Sequence, residues 1–167
     1  VDSNKHHQNI AIHSGLVDKI DTLENAVRKS DLIILSTPVN ANREMLPGIL
    51  SMIEGTSKIV TAMGSTTAGI AAAVANQPNR ARYVASHPMA GTEFSGPMAA
   101  IGKLFDYKHV IICDKELSDE DAIRKVIDMY NILNMRITYM KSTDHDVHVA
   151  YVSHISHITS FSLALSV

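Results

Sequence analysis

Tryptophan is absent from the 167 residues, and cysteine occurs once, at Cys113. A single cysteine excludes an intramolecular disulfide framework and a four-cysteine zinc site. Basic charge has no surplus: 15 Lys and Arg face 17 Asp and Glu, a net charge of −2. The sequence therefore offers no electrostatic pull toward nucleic acid or anionic lipid, and neither partner is expected. No apolar run approaches the roughly 20 residues of a membrane-spanning helix. No leader pattern opens the chain at Val1-Asp2, and a reducing cytoplasm is the expected compartment. What is present is a globular balance, 46% hydrophobic against 19% charged, with nine histidines. The length suits one domain, or one domain and part of another.

Short β-branched runs alternate with helical stretches. Residues 32–36, 58–61, 82–85, 109–113 and 136–139 read as strands. Most do not alternate apolar with polar, so both faces are expected to be covered, as in a parallel sheet between helix layers. Helices are expected at 3–14, with Ser3 as cap and Gly15 as stop, at 22–29, at 40–53 with a kink or break at Pro47, and at 67–76. A fifth follows Ser118-Asp119-Glu120-Asp121, which has the form of a capping box, and a long final helix begins near residues 142–144. This order predicts an α/β class, a Rossmann-like, doubly wound, mostly parallel sheet. A boundary near Lys141 divides the chain into 1–141 and 142–167. In the second part Val147, Tyr151, His154, Ile158, Phe161 and Leu165 form one helical stripe, and other sides are apolar too. Such a helix is expected to be covered by a partner subunit or by further sequence.

Five places could carry chemistry. Asp2 stands where dinucleotide-binding folds end a strand and hold ribose hydroxyls, although an Asp there also serves as a helix cap. Ser36-Thr37-Pro38 follows a strand, where a ligand crevice is lined or the strand simply ends. Met63-Gly64-Ser65-Thr66-Thr67 can bind an anion or cap the next helix. The segment 86–97 has neither helical nor strand period, and its ordering costs backbone entropy. His87, expected at a strand exit, is either a general base or a histidine that holds the loop. Finally, the pairs His145/His148 and His154/His157 each face one way on a helix. They stand about nine residues, roughly 13.5 Å, apart, so one ion cannot take both and no metal site is expected. His154 is either a core histidine or a residue at a cleft.

His-Pro-Met-Ala-Gly-Thr-Glu-Phe-Ser-Gly at 87–96, followed by Ser-His-Ile-Ser-His at 153–157, resembles the TyrA family, the prephenate and arogenate dehydrogenases of tyrosine biosynthesis. Val1-Asp2, Ser36-Thr37-Pro38-Val39 and Gly64-Ser65-Thr66 extend the resemblance over the whole chain. It implies a nucleotide-binding domain followed by the first helix of an all-helical dimerisation domain, hence a homodimer. It also implies a preceding strand and glycine loop, so that the chain is expected to be part of a longer protein. The implied reaction is oxidative decarboxylation of prephenate, a small-molecule substrate, with NAD more than NADP as cofactor. His87 is the implied base and Ser65 its helper. Glu93, His154 and His157 are implied to meet substrate, and Asp2, Ser36, Thr37, Pro38 and Gly64 to meet cofactor. Where relatives read Asp-x-Gly-Ser-x-Lys, this chain has Ala62 and Thr67 in place of the acid and the lysine. Arogenate oxidation, a non-catalytic relative and a metal-dependent hydrolase are the alternatives.

Overall fold

The computed structural model describes residues 1–92, 94–155, 159, 162 and 165, with only the backbone of Ser153 and His154. Five strands, β1 (Leu32–Leu35), β2 (Ile59–Ala62), β3 (Tyr83–Pro88), β4 (His109–Cys113) and β5 (Arg136–Met140), form one sheet in the order β1-β2-β3-β4-β5. β1, β2 and β3 are parallel, with Leu35 beside Ala62 and Ala62 beside Ala85. β4 is antiparallel to β3, with His87 beside Ile111, and β5 is parallel to β4. The sheet is thus mostly parallel, not parallel throughout. The reason lies between β3 and β4, where the connection holds only a short 3₁₀ turn at Pro97–Ala99. Without a crossover helix, the chain turns back beside the strand it has just left.

The helices are α1 (Lys5–His13), α2 (Leu23–Lys29), α3 (Val39–Met52), α4 (Ala68–Ala73), α5 (Glu120–Ile132) and α6 (Ser142–Val149). Strand side chains alternate between two cores. Ile33, Leu35, Val60, Ala62, Tyr83, Ala85 and Cys113 pack with residues of α2, α3 and α4. Ile59, Val84, Val110 and Ile112 pack with Ala122, Val126 and Tyr130 of α5. This double covering is the expected doubly wound arrangement. β2, an interior strand, is buried along its whole length. β5 departs from the expectation of two covered faces, since Arg136, Thr138 and Tyr139 of this outer strand are exposed.

Several local expectations are corrected. Val1 and Asp2 lie outside any strand. Asn4, not Ser3, caps α1, its Oδ1 accepting from the His6 and His7 N–H groups. α3 runs unbroken through Pro47. A proline inside a helix costs about 3 kcal/mol, but Leu46, Ile49 and Leu50 on either side are completely buried. Each such burial is worth about 1.5–3 kcal/mol, enough to hold the helix together. Ser118 does not form a capping box: Asp119 is the cap residue, without a side-chain cap bond, and the Ser118 hydroxyl donates to the Tyr83 carbonyl at 2.6 Å. The final helix is long as expected but not uniform: α6 passes into a π-helical turn, Ala150–His154, and Ile155, Thr159, Ser162 and Leu165 beyond it are α-helical.

α6 places the site described next. It leaves β5 and lies back over the sheet face that carries α4, with Ser142, His145 and Val149 buried. The Ser142 N–H donates to Asp114 Oδ1 at 2.9 Å, which secures the start of the helix beside the end of β4.

Candidate active site

Because β1, β2 and β3 are parallel, their carboxyl ends open on one edge. Ser36, Thr37 and Pro38 follow β1 and are exposed. Met63, Gly64 and Ser65 follow β2; Gly64 is buried and Ser65 exposed. A Cβ on Gly64 would lie 3.2 Å from Val39 Cγ2 and 3.3 Å from Ile70 Cδ1. Glycine therefore lets this turn pack tightly between the starts of α3 and α4. The Ser36 hydroxyl lies 3.6 Å from Met63 Sδ, and Thr37 Oγ1 donates to Asn42 Oδ1. The two turns thus share one ledge, with each hydroxyl oriented from below.

β3 reaches further than the sequence pattern indicates. It continues through Ser86 and His87 to Pro88, so His87 is a strand residue rather than a loop residue. Its pairing with Ile111 fixes the backbone, and the Met89 N–H donates to the His109 carbonyl at 2.8 Å just beyond. The alternation of the strand turns the half-buried His87 side chain toward the face that carries α4 and α6.

There His87 meets a group that sequence reasoning missed. Its Nδ1 is 3.0 Å from Nε2 of His145, which is completely buried, and the rings meet edge to face at 5.1 Å. Nδ1 of His145 is 2.8 Å from Asp146 Oδ1. Asp146 in turn closes the N-terminus of α4: its Oδ1 accepts from Thr67 N–H at 2.8 Å and its Oδ2 from Ala68 N–H at 3.0 Å. Partial burial opposes ionisation of Asp146, but these N–H groups and His145 outweigh it and hold the carboxyl below its ordinary pKa. The Thr67 hydroxyl lies 3.3 Å from His145 Nδ1 and 3.5 Å from Cys113 Sγ. Burial pushes the Cys113 thiol up to about 11, so it is uncharged at neutral pH.

The sequence contained one signal of this arrangement, the His and Asp cluster at 144–148, but it suggested only metal ligation. Among the described residues no group of three or more His, Cys, Asp or Glu side chains could hold a metal ion. Thr67, one of the two departures in the glycine turn, sits in the middle of the network.

The remaining predicted residues divide clearly. Asp2 is exposed at the start of α1, its Oδ1 accepting from Asn4 N–H at 2.7 Å and its Oδ2 lying 3.6 Å from His7 Nδ1. His7 also touches the loop after β3, where a Cβ on Gly96 would stand 3.2 Å from His7 Nε2. α1 thereby packs against the loop that follows His87. Glu93 and His157 lie outside the described residues, as does the side chain of His154, whose backbone belongs to the π-helical turn.

Residues 1–139 match the family described as prephenate dehydrogenase, nucleotide-binding domain. The chain is 31% identical over 144 residues to a cyclohexadienyl dehydrogenase of Zymomonas mobilis, covering 86% of this chain and 48% of that protein. It is 27% identical to a prephenate dehydrogenase of Bacillus subtilis, covering 92% of this chain and 42% of the relative. The chain therefore spans about half, or less, of the length of these relatives. Among solved structures, the prephenate dehydrogenase of A. aeolicus in complex with hydroxyphenyl propionate and NAD+ superposes with a TM-score of 0.83 at 25% identity. That match covers 99% of this chain and 58% of the other. The Synechocystis arogenate dehydrogenase shares the fold, with a TM-score of 0.84 at 23% identity over 99% of this chain and 59% of that one.

Proposed function

This chain belongs to the family of prephenate dehydrogenase nucleotide-binding domains, and from that premise we propose that it forms the cofactor-binding half of an enzyme that oxidises and decarboxylates prephenate to 4-hydroxyphenylpyruvate. The observation that carries the reading is the placement of His87 beside the carboxyl ends of β1 and β2, with its Nδ1 held by His145. Bound NAD+ would supply the two-electron acceptor for the hydride on the ring carbon that bears the hydroxyl.

The residues present fit that cofactor. Ser36, Thr37 and Ser65 offer exposed hydroxyls on one ledge, and Pro38 starts α3 with no side chain capping it. The first N–H groups of a helix of this length then point toward the crevice, where phosphate oxygens are favoured. Gly64 keeps the neighbouring turn low. The exposed carboxylate of Asp2 retains acceptor capacity for ribose hydroxyls and would repel a 2′-phosphate, so NAD is favoured over NADP.

His87 accepts the proton of the substrate hydroxyl as hydride leaves, which is general base catalysis. Ser65 is the partner of that hydroxyl at the turn after β2. Glu93, His154 and His157 approach substrate from the loop and from the helical segment; their roles rest on the resemblance of 87–96 and 153–157. We assign 1–141 to the nucleotide-binding domain and 142–167 to the start of a dimerisation domain. Val147, Tyr151, Val152, Ile155 and Leu165 are exposed here, which supports a homodimer interface along this segment. No helix among the described residues is long and apolar enough to cross a membrane, and a cytoplasmic location accords with the single buried thiol at Cys113.

Arogenate is the second substrate to consider, favoured by the 31% identity with a cyclohexadienyl dehydrogenase; prephenate and arogenate are both cyclohexadienyl acids. The test is NADH formation by the intact protein with each substrate in turn. Prephenate should be turned over, and His87→Asn should lower kcat roughly 10²–10⁴-fold while leaving NAD+ affinity nearly unchanged. A His87→Asn protein with wild-type kcat, or no NADH from either substrate, would overturn the reading.

A further inference from the structure

We propose that His145 and Asp146 are positioning residues that decide which ring nitrogen of His87 serves as the base. The inference rests on the reading of His87 as base and adds the mechanism by which that ring is prepared. Asp146 accepts two backbone N–H bonds, from Thr67 at 2.8 Å and Ala68 at 3.0 Å. A carboxyl held in this way is ionised and can only accept. His145 Nδ1, 2.8 Å from the same Oδ1, must therefore carry the hydrogen. In a neutral ring, His145 Nε2 is then a lone pair. His87 Nδ1 lies 3.0 Å from it and must in turn carry a hydrogen. The neutral His87 ring is left with its lone pair on Nε2.

Burial makes this order rigid. His145 is completely buried, so no water competes for either ring nitrogen. Among the described residues, these groups face His145 and Asp146. α4 contributes Thr67 and Ala68, β3 contributes His87, and β4 contributes the neutral thiol of Cys113. The carboxylate of Asp114, after β4, is turned to the N–H of Ser142. Asp146 is thus the anion aligned with the two rings. The proton balance is simple. The substrate O–H bond breaks and an N–H bond forms on His87 Nε2, while His145 and Asp146 gain and lose no proton. The imidazolium formed on His87 is stabilised through His145 by the carboxylate.

Asp146→Asn in the intact protein tests the relay. An amide must present N–H toward His145 Nδ1 or toward the start of α4. The first reverses the order of donors along both rings; the second breaks the cap. We expect kcat to fall by roughly 10–10³-fold, KM to change little, and the acidic limb of the kcat profile to move to lower pH, because the imidazolium loses its counter-charge. A purely structural role would reduce the amount of folded protein but leave that limb where it is. Asp146→Glu should recover part of the rate. Nitrogen NMR of the wild-type imidazoles gives a readout that needs no variant: both His145 and His87 should carry hydrogen on Nδ1. His87 found protonated on Nε2 in the neutral enzyme would overturn the proposal, as would Asp146→Asn with wild-type kcat and an unmoved acidic limb. His87→Asn, run beside these, separates the two ideas: if it keeps activity the base assignment fails, and if it alone loses activity only the relay fails.

Discussion

Ser86 and His87 are neighbours in β3, yet they enter two polar networks on opposite faces of the sheet. Ser86 faces α5, where its Oγ lies 2.8 Å from Thr61 Oγ1 and 2.7 Å from the Tyr130 hydroxyl. Thr61 Oγ1 donates to the Val84 carbonyl at 2.9 Å, so each of the three hydroxyls can donate once, from Tyr130 to Ser86 to Thr61 to Val84. All three residues are completely buried, and burial pushes the Tyr130 hydroxyl up to about 12. That network is closed and uncharged. The His87 network has the same length but ends differently, in a carboxylate at one end and a half-buried imidazole at the other. A closed chain of hydroxyls joins strands to a helix. A chain with a part-buried carboxylate at one end and a titratable ring at the crevice can prepare that ring to take a proton. One residue of register separates the two outcomes.

The contrast can be broken from the hydroxyl side first. Tyr130→Ala removes a completely buried ring and should cost about 3–5 kcal/mol in urea unfolding, the range for an aromatic deleted from a core. A loss below about 1 kcal/mol would mean that this face is not part of the core. Ser86→Ala leaves the Tyr130 hydroxyl without its buried partner and should cost about 1–3 kcal/mol. Its kcat per folded molecule should match wild type, because His87 keeps its own partners. A large kcat loss would mean that the two faces are coupled.

Stability against pH should give the smallest effect and the sharpest distinction. The Asp146 pKa is lowered on folding, so its contribution is present above its ordinary value of 3.8 and is lost as pH falls through the lower folded value. The stability difference between wild type and Asp146→Asn should therefore shrink in acid. The Tyr130 pKa is raised, so its contribution is complete below pH 10 and lost as pH rises through about 12. Tyr130→Phe should lack that alkaline loss and keep the acidic one. The reverse pattern in either variant would assign the titrations to the wrong faces.

Much of this architecture was legible in the sequence. β-Branched runs placed all five strands, because such side chains suit a pleated, buried surface. The helices expected at 22–29 and after Ser118 meet α2 and α5 to within a few residues. The segment 86–97 stood out for its lack of period, and His87 with it. Other features were not legible because they depend on partners distant in the chain. Ser118 has the sequence of a cap, but the Tyr83 carbonyl lies within 2.6 Å and takes its hydroxyl. Pro47 reads as a break, but the burial of its neighbours decides the matter.

The sequence by itself determined that the chain is an α/β domain, where its five strands lie, and that His87 would stand near a strand end. Local propensity and hydrophobic period are properties of adjacent residues, so they can be read in order. Only the tertiary structure decided that β4 turns antiparallel, that α6 lies back over the sheet, and that a histidine 58 positions away completes the site. Hydrogen bonds of that kind are selected by the packing of α4 against α6, which buries His145 between His87 on one side and the Asp146 carboxylate, with the Thr67 hydroxyl, on the other.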